Sequence, residues 1–102
     1  MDNERKSTFE TLEVWKEGRE LRKEISTLVK SFPPEEKYKL VDQMIRASRS
    51  VTNNISEGYG RFHYQENIQF CRESRGSLYE LIDHFTIASD EGYITEESCS
   101  VF

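Results

Sequence analysis

Apolar residues recur every three or four positions through three long segments of this chain, a period typical of one face of an α-helix. The first segment is predicted to run from Thr11 to Phe32. Its stripe of apolar and small residues comprises Val14, Gly18, Leu21, Ile25, Leu28 and Phe32. The alternation of four- and three-residue spacings favours packing against neighbouring helices at shallow angles.

Two consecutive prolines separate the first segment from the second. Pro33 disfavours helical angles in the residue before it, and Pro34 suits the first position of a helix that is predicted to end near Ser56. The inner stripe of this helix comprises Val41, Met44, Ser48, Val51 and Ile55, and the opposite side carries Asp42, Arg46, Arg49, Asn53 and Glu57. Gly58 is predicted to take the left-handed conformation that ends many helices, and Gly60 to allow a second sharp bend.

The third segment is predicted to begin near Tyr64 or Gln65 and to end at Gly92. Its stripe comprises Tyr64, Ile68, Cys71, Ser74, Leu78, Leu81, Ile82 and Phe85. Gly76 lies inside this helix, where a glycine is unfavourable, and this predicts that a neighbour approaches closely there.

The pattern predicts one helical domain over residues 9–102, preceded by a flexible polar tail at residues 1–8. No stretch alternates apolar and polar residues with a period of two for more than a few positions, so no strand is predicted. The fold class is therefore all-α. Thr95 is predicted to cap a last helical turn that continues to Phe102.

Composition supports a small soluble protein, because 35% of the 102 residues are hydrophobic and 32% are charged. The chain has no apolar run long enough to span a membrane, and its N-terminus lacks the apolar core of a secretory signal, so a cytoplasmic location is expected. The two cysteines, Cys71 and Cys99, are expected to be free thiols, with Cys71 as a small core residue.

Three blocks of the sequence resemble a known family. They are LEVWKEGREL at residues 12–21, FPPEEKYKLVDQMIRASRSVTNNISEGYGR at residues 32–61, and FCRESRGSLYEL at residues 70–81. Over residues 9–94 the chain is similar to the four-helix bundle family first noted as open reading frames in intervening sequences of 23S rRNA genes. The resemblance implies an up-and-down antiparallel bundle and a ring-like homopentamer. The biochemical role of most of that family is not established.

The fourth helix departs from the family pattern, because only residues 95–102 follow the third segment. Either this element is one or two turns long, or the chain stops before its native C-terminus. The expected architecture is three long helices plus a short or truncated fourth. Three helices alone leave part of the apolar seam uncovered, which favours contacts between subunits.

A related branch of the family contains accessory proteins of diversity-generating retroelements, which partner a reverse transcriptase and bind nucleic acid. The corresponding hypothesis here is an RNA- or DNA-binding factor that uses one basic patch, made of Arg46, Arg49, Arg61, Arg72 and Arg75. The formal net charge of −5 weighs against it, because affinity for nucleic acid needs a positive surface. The alternative is that the arginines pair with carboxylates within the bundle or between subunits.

Two further features have a structural and a binding interpretation. The first is the end of the second helix, where Asn53, Asn54, Glu57, Gly58 and Gly60 are predicted to form a hydrogen-bonded corner, with Arg61 or Arg49 answering the charge of Glu57. A small-ligand pocket over residues 53–61 is the alternative.

The second feature is Trp15, which lies about 90° from the first stripe. It is expected to contact another subunit or to cover an edge of the bundle.

Catalytic and metal-binding patterns are not recognisable. Glu80 and His84 are four residues apart, which does not match the spacing of di-iron bundles, and His84 is expected at the surface beside Glu80. No serine has a histidine and an orienting group at a telling spacing, and the loop between Gly58 and Arg61 is too short to cradle a phosphate. The sequence predicts a non-enzymatic scaffold without metal or cofactor, whose partner is itself in a homo-oligomer, with RNA, DNA or another protein as the alternative partner.

Overall fold

The computed structural model describes residues 9–60 and 64–95, and three long helices dominate them. A short 3-10 turn at Phe9–Thr11 precedes α1, which spans Glu13–Leu28. Two further 3-10 turns, at Val29–Ser31 and Pro34–Glu36, lead to α2, Leu40–Tyr59. The third helix, α3, spans Tyr64–Asp90. This part of the chain contains no strand, which confirms the all-α prediction; the tail, Arg61, Cys99 and the predicted last turn lie outside it.

The core lies where α2 packs against both other helices. Ile25 from α1, Met44 from α2 and Leu81 from α3 are each no more than 1% exposed. The rest of the buried cluster consists of Val29, Phe32, Leu40, Ala47, Val51, Phe85, Ala88 and Ile94. The inner stripe predicted for the second helix is confirmed, because its members are buried or pack against this cluster.

Three residues that the stripes placed inward are exposed instead. Val14 is 55% exposed and Ile82 is 47% exposed, and the predicted core residue Cys71 is an exposed free thiol. The three exposures have one cause, because each apolar stripe is wider than the part of its helix that packs against α2. Val14 and Cys71 line an open groove together with Ile55 and Tyr59 of α2, and Ile82 lies three turns after Cys71 on the same side of α3.

The second helix begins later and ends later than predicted. Residues 37–39 form a turn, and α2 begins at Leu40, whose N–H donates to Glu36 Oε1 at 3.3 Å. At the other end, Gly58 remains helical and buried, so its predicted left-handed conformation is wrong. Gly60 closes the helix with a right-handed φ of −79°. A Cβ at Gly58 would lie 3.0 Å from Phe70 Cβ, so this glycine serves the contact with α3.

The end of α3 follows the prediction at Gly92, which has a φ of +78°. Its N–H donates to the carbonyl of Ser89 at 3.0 Å, and the N–H of Tyr93 donates to the carbonyl of Ala88 at 2.8 Å. These two bonds are the Schellman pattern, in which a glycine in the left-handed region reverses the chain. The reversal directs Ile94 into the core.

Tyr93 ties this reversed segment to the turn before α2. Its hydroxyl donates to Glu36 Oε2 at 2.7 Å, and its ring lies 5.3 Å from that of Phe32. The hydrogen bond to Glu36 raises the pKa of Tyr93 to about 12, helped by partial burial and by the negative charges of Glu36, Glu91 and Glu35. The phenol is therefore held in its protonated form.

Tyr93→Phe is expected to change how stability depends on alkaline pH. The pKa of Tyr93 is about 12 in the folded protein against 10.0 for the model value, so its stabilisation is complete below pH 10 and is lost as the pH rises towards 12. Near neutrality the variant should unfold at a lower urea concentration than the unaltered protein. Between pH 10 and about pH 12 it should lose less stability than the unaltered protein does. Urea titrations across this range measure it, with the exposed Tyr79→Phe as control. Parallel curves for both variants would contradict the assignment.

Candidate interaction surfaces

Small hydroxyl side chains bring α2 and α3 together. The Ser74 hydroxyl donates to the carbonyl of Val51 at 3.0 Å, and the Ser77 hydroxyl donates to Ser50 Oγ at 2.8 Å. Both serines of α3 are buried. The close approach that the sequence assigned to Gly76 therefore occurs at its neighbour Ser77, whereas no side chain or neighbouring helix lies within 4 Å of a Cβ built on Gly76.

The predicted corner at the end of α2 is only partly visible, because Arg61 lies outside the described residues. Asn54 is bonded within its own helix, where its Nδ2 donates to the carbonyl of Ser50 at 2.9 Å and to Ser50 Oγ at 3.0 Å. Asn53 is exposed, and its carbonyl accepts the Ser56 hydroxyl at 3.0 Å. These are bonds of a helix that continues to Tyr59. A ligand pocket over residues 53–61 stays a prediction.

Among the residues that the structure describes, grooves run along the helix pairs, and three of them bear on function. The α2–α3 groove, about 400 Å³, is lined by Gln43, Arg46, Ala47, Ser50, Ser77 and Glu80. The α1–α2 groove, about 180 Å³, is lined by Arg22, Lys23, Ser26, Ile45, Ser48 and Arg49. The α1–α3 groove, about 380 Å³, is mainly apolar, and its apolar lining comprises Leu12, Val14, Ile55, Tyr59, Cys71 and Leu78.

The predicted arginine patch is distributed over these grooves. Arg46 lies in the α2–α3 groove and pairs with Asp42 at 3.5 Å, with 78% of its side chain exposed. Arg49 lies in the α1–α2 groove, and Arg75 lies in the α1–α3 groove. Arg72 is exposed on α3. The three arginines that line grooves therefore do not share one surface, and nucleic-acid binding through a single patch stays a prediction without structural support.

Two cations that the sequence reasoning missed, Arg22 and Lys23, lie beside Arg49 in the α1–α2 groove. Arg22 is half-buried, and its Nη1 donates to Thr52 Oγ1 at 2.9 Å. Helical spacing could have placed Arg22 beside α2, because Arg22 follows Gly18 by one turn and Gly18 faces α2. A Cβ built on Gly18 would lie 3.1 Å from Thr52 Cγ2.

Trp15 is buried within its own chain. Its ring packs edge-on against Phe9 at 5.2 Å, and the guanidinium of Arg19 lies 5.9 Å from the ring centroid. This arrangement corresponds to the alternative in which Trp15 covers an edge of the bundle. Its contact with another subunit stays a prediction.

His84 is 5% exposed, so the expectation of a surface histidine is wrong. It follows Leu81 by one turn on the face of α3 that meets α2. Its Nε2 lies 3.6 Å from Glu80 Oε2, and its buried Nδ1 has no hydrogen-bond partner within the described residues. No group of three metal-ligating side chains occurs there either, and no helix in this part is long and apolar enough to cross a membrane.

The family described as 23S rRNA-intervening sequence protein matches residues 10–102, which is nearly the whole chain. No curated protein matches the chain.

Proposed function

Because the chain belongs to the 23S rRNA-intervening sequence protein family, we propose that it acts as a non-enzymatic, homo-oligomeric helical-bundle scaffold. The single observation that carries this proposal is the open α1–α3 groove. Its lining is mainly apolar, and residues 9–60 and 64–95 supply nothing that covers it. Apolar surface of this kind is favourable only when it is removed from water.

Exposed apolar side chains lie in the groove and beyond it along α3. Val14 lies at the start of α1, Tyr59 at the end of α2, and Ile82 beyond Leu78 on α3; they are 55%, 41% and 47% exposed. In an up-and-down four-helix bundle the fourth helix packs between the first and the third. In the proposed oligomer, the subunits meet at this position and complete the core that three helices leave open.

The proposed assembly is a pentamer, as the resemblance to the family implies. A pentamer should have about five times the monomer mass of 12.1 kDa, and light scattering on the purified full-length protein measures this directly. A monomeric mass at micromolar concentration would overturn the oligomer. A stable assembly of a different size would retain the scaffold and reject only the pentamer.

Val14→Glu is expected to weaken the assembly, because it places a charge in an interface that would otherwise be apolar. The side chain is already 55% exposed in one chain, so the helical fold should survive. Ile87→Glu is the matched control, since Ile87 is 39% exposed on α3 but does not line the groove. Light scattering with circular dichroism separates the outcomes. Equal loss of mass in both variants would reject the groove as the interface.

A further inference from the structure

The α1–α2 groove concentrates positive charge on a protein whose formal net charge is −5. Arg22 and Lys23 of α1 face Arg49 of α2 across a space of about 180 Å³. Ser26 and Ser48 add small polar side chains to the lining. This groove is separate from the apolar α1–α3 groove to which the proposed oligomer is assigned.

A hydrogen-bond relay ties the Arg22 side chain to the backbone of α2 at Arg49. Arg22 Nη1 donates to Thr52 Oγ1 at 2.9 Å, and that hydroxyl donates to the backbone carbonyl of Arg49 at 3.2 Å. Thr52 is 2% exposed, so the relay is anchored in the interior. A guanidinium has five N–H donors, and the bond to Thr52 uses one of them. The remaining donors of Arg22 are held at the groove by a side chain that cannot move freely.

Carboxylates only weakly compensate the charge of this groove. Lys23 Nζ lies 3.8 Å from Glu20 Oε2, and both side chains are more than half exposed, so water screens the pair. Among the described residues, an arginine pairs with a carboxylate at Arg46 and Asp42, outside this groove. Arg22 and Arg49 thus lack a carboxylate partner in this part of the chain.

We propose that the α1–α2 groove binds one phosphate group, either as inorganic phosphate or as the terminal phosphate of a small monoester. Guanidinium groups bind phosphate oxygens through two parallel N–H bonds, and a lysine adds a mobile point charge. The site spans little more than one turn of each helix and offers three cations. Tight binding of a nucleic-acid backbone draws on many phosphate contacts, so the groove fits a single phosphate better than a polyanionic track.

Isothermal titration of inorganic phosphate into the full-length protein tests the proposal, at constant ionic strength set with chloride. Saturable binding with one site per chain is expected. Arg49→Gln should weaken it by about tenfold or more, the effect of losing one charge-assisted contact. Arg72→Gln is the control, because Arg72 is exposed on α3 and lines none of the three grooves; it should bind like the unaltered chain. Absence of saturable binding, or equal effects of both variants, would overturn the proposal.

Two further measurements sharpen the test. Arg22→Lys keeps the charge but loses the planar guanidinium that reaches Thr52. It should therefore weaken phosphate binding while the circular dichroism spectrum stays unchanged, and unaltered affinity would contradict the role of the relay.

At the same ionic strength set with chloride, an oligonucleotide without terminal phosphates should show no saturable binding. Oligonucleotide binding that Arg49→Gln and Arg72→Gln weaken equally, in the absence of phosphate binding, would replace this site by a distributed nucleic-acid surface. None of these outcomes depends on the oligomeric state.

Discussion

Leu81→Ala is expected to lower the free energy of unfolding by about 2–5 kcal/mol, the range for a leucine deleted from a packed core. Leu81 is completely buried, as is Met44 on α2, and both belong to the cluster that joins all three helices. The truncation leaves a cavity between helices that also approach through the serine contacts and cannot collapse freely. Because small domains are stable by only about 5–15 kcal/mol, the loss is a large share of the total.

Urea unfolding followed by circular dichroism measures this effect, at one protein concentration because oligomerisation adds to apparent stability. Leu81→Met conserves volume and should cost less than about 1.5 kcal/mol, which keeps the test informative if the alanine variant is unfolded. Ile87→Ala, on an exposed side of the same helix, should change stability by no more than about 0.5 kcal/mol. Similar losses for Leu81→Ala and Ile87→Ala would show that Leu81 is not in the core.

The helices and most of the core could be predicted from the sequence, because a period of 3.6 residues marks the buried face wherever a helix packs on one neighbour. Met44 and Leu81 are examples. The same signal fails at the edge of a broad stripe. Cys71 and Ile82 are apolar and in phase, yet whether they are buried depends on a neighbour that the periodicity of α3 does not specify.

The grooves could be predicted less well, because they depend on the rotation of each helix about its axis. Arg46 and Arg49 are three residues apart on α2, but they line grooves on opposite sides of it, one towards α3 and one towards α1. Counting arginines along the sequence groups them together. Only the packing of α1 shows that Arg22, distant in sequence, is the neighbour of Arg49. His84 illustrates the same limit, since a polar residue type gave no sign of its burial.

Gly58→Ala and Gly76→Ala are expected to change stability in opposite directions, although both replace a glycine inside a helix. At an open position, alanine is favoured over glycine by about 1 kcal/mol, and no side chain or neighbouring helix would meet the new Cβ at Gly76. At Gly58 the new atom would stand 3.0 Å from Phe70 Cβ. Both carbons are attached directly to backbone, so α3 must shift, and overpacking of this kind costs about 1–3 kcal/mol.

Comparing Gly58→Ala with Gly76→Ala also shows why a glycine is needed at position 58 near the end of α2. A glycine required for a left-handed turn would destabilise through backbone strain, but Gly58 is helical, so the cost arises from contact with α3 alone. Removing the Cβ of the contact partner should therefore relieve it: Gly58→Ala should cost less in a Phe70→Gly background, as a double-mutant cycle measures. Stabilisation by both single substitutions, or an unchanged cost in that background, would show that α2 and α3 do not meet closely at this glycine.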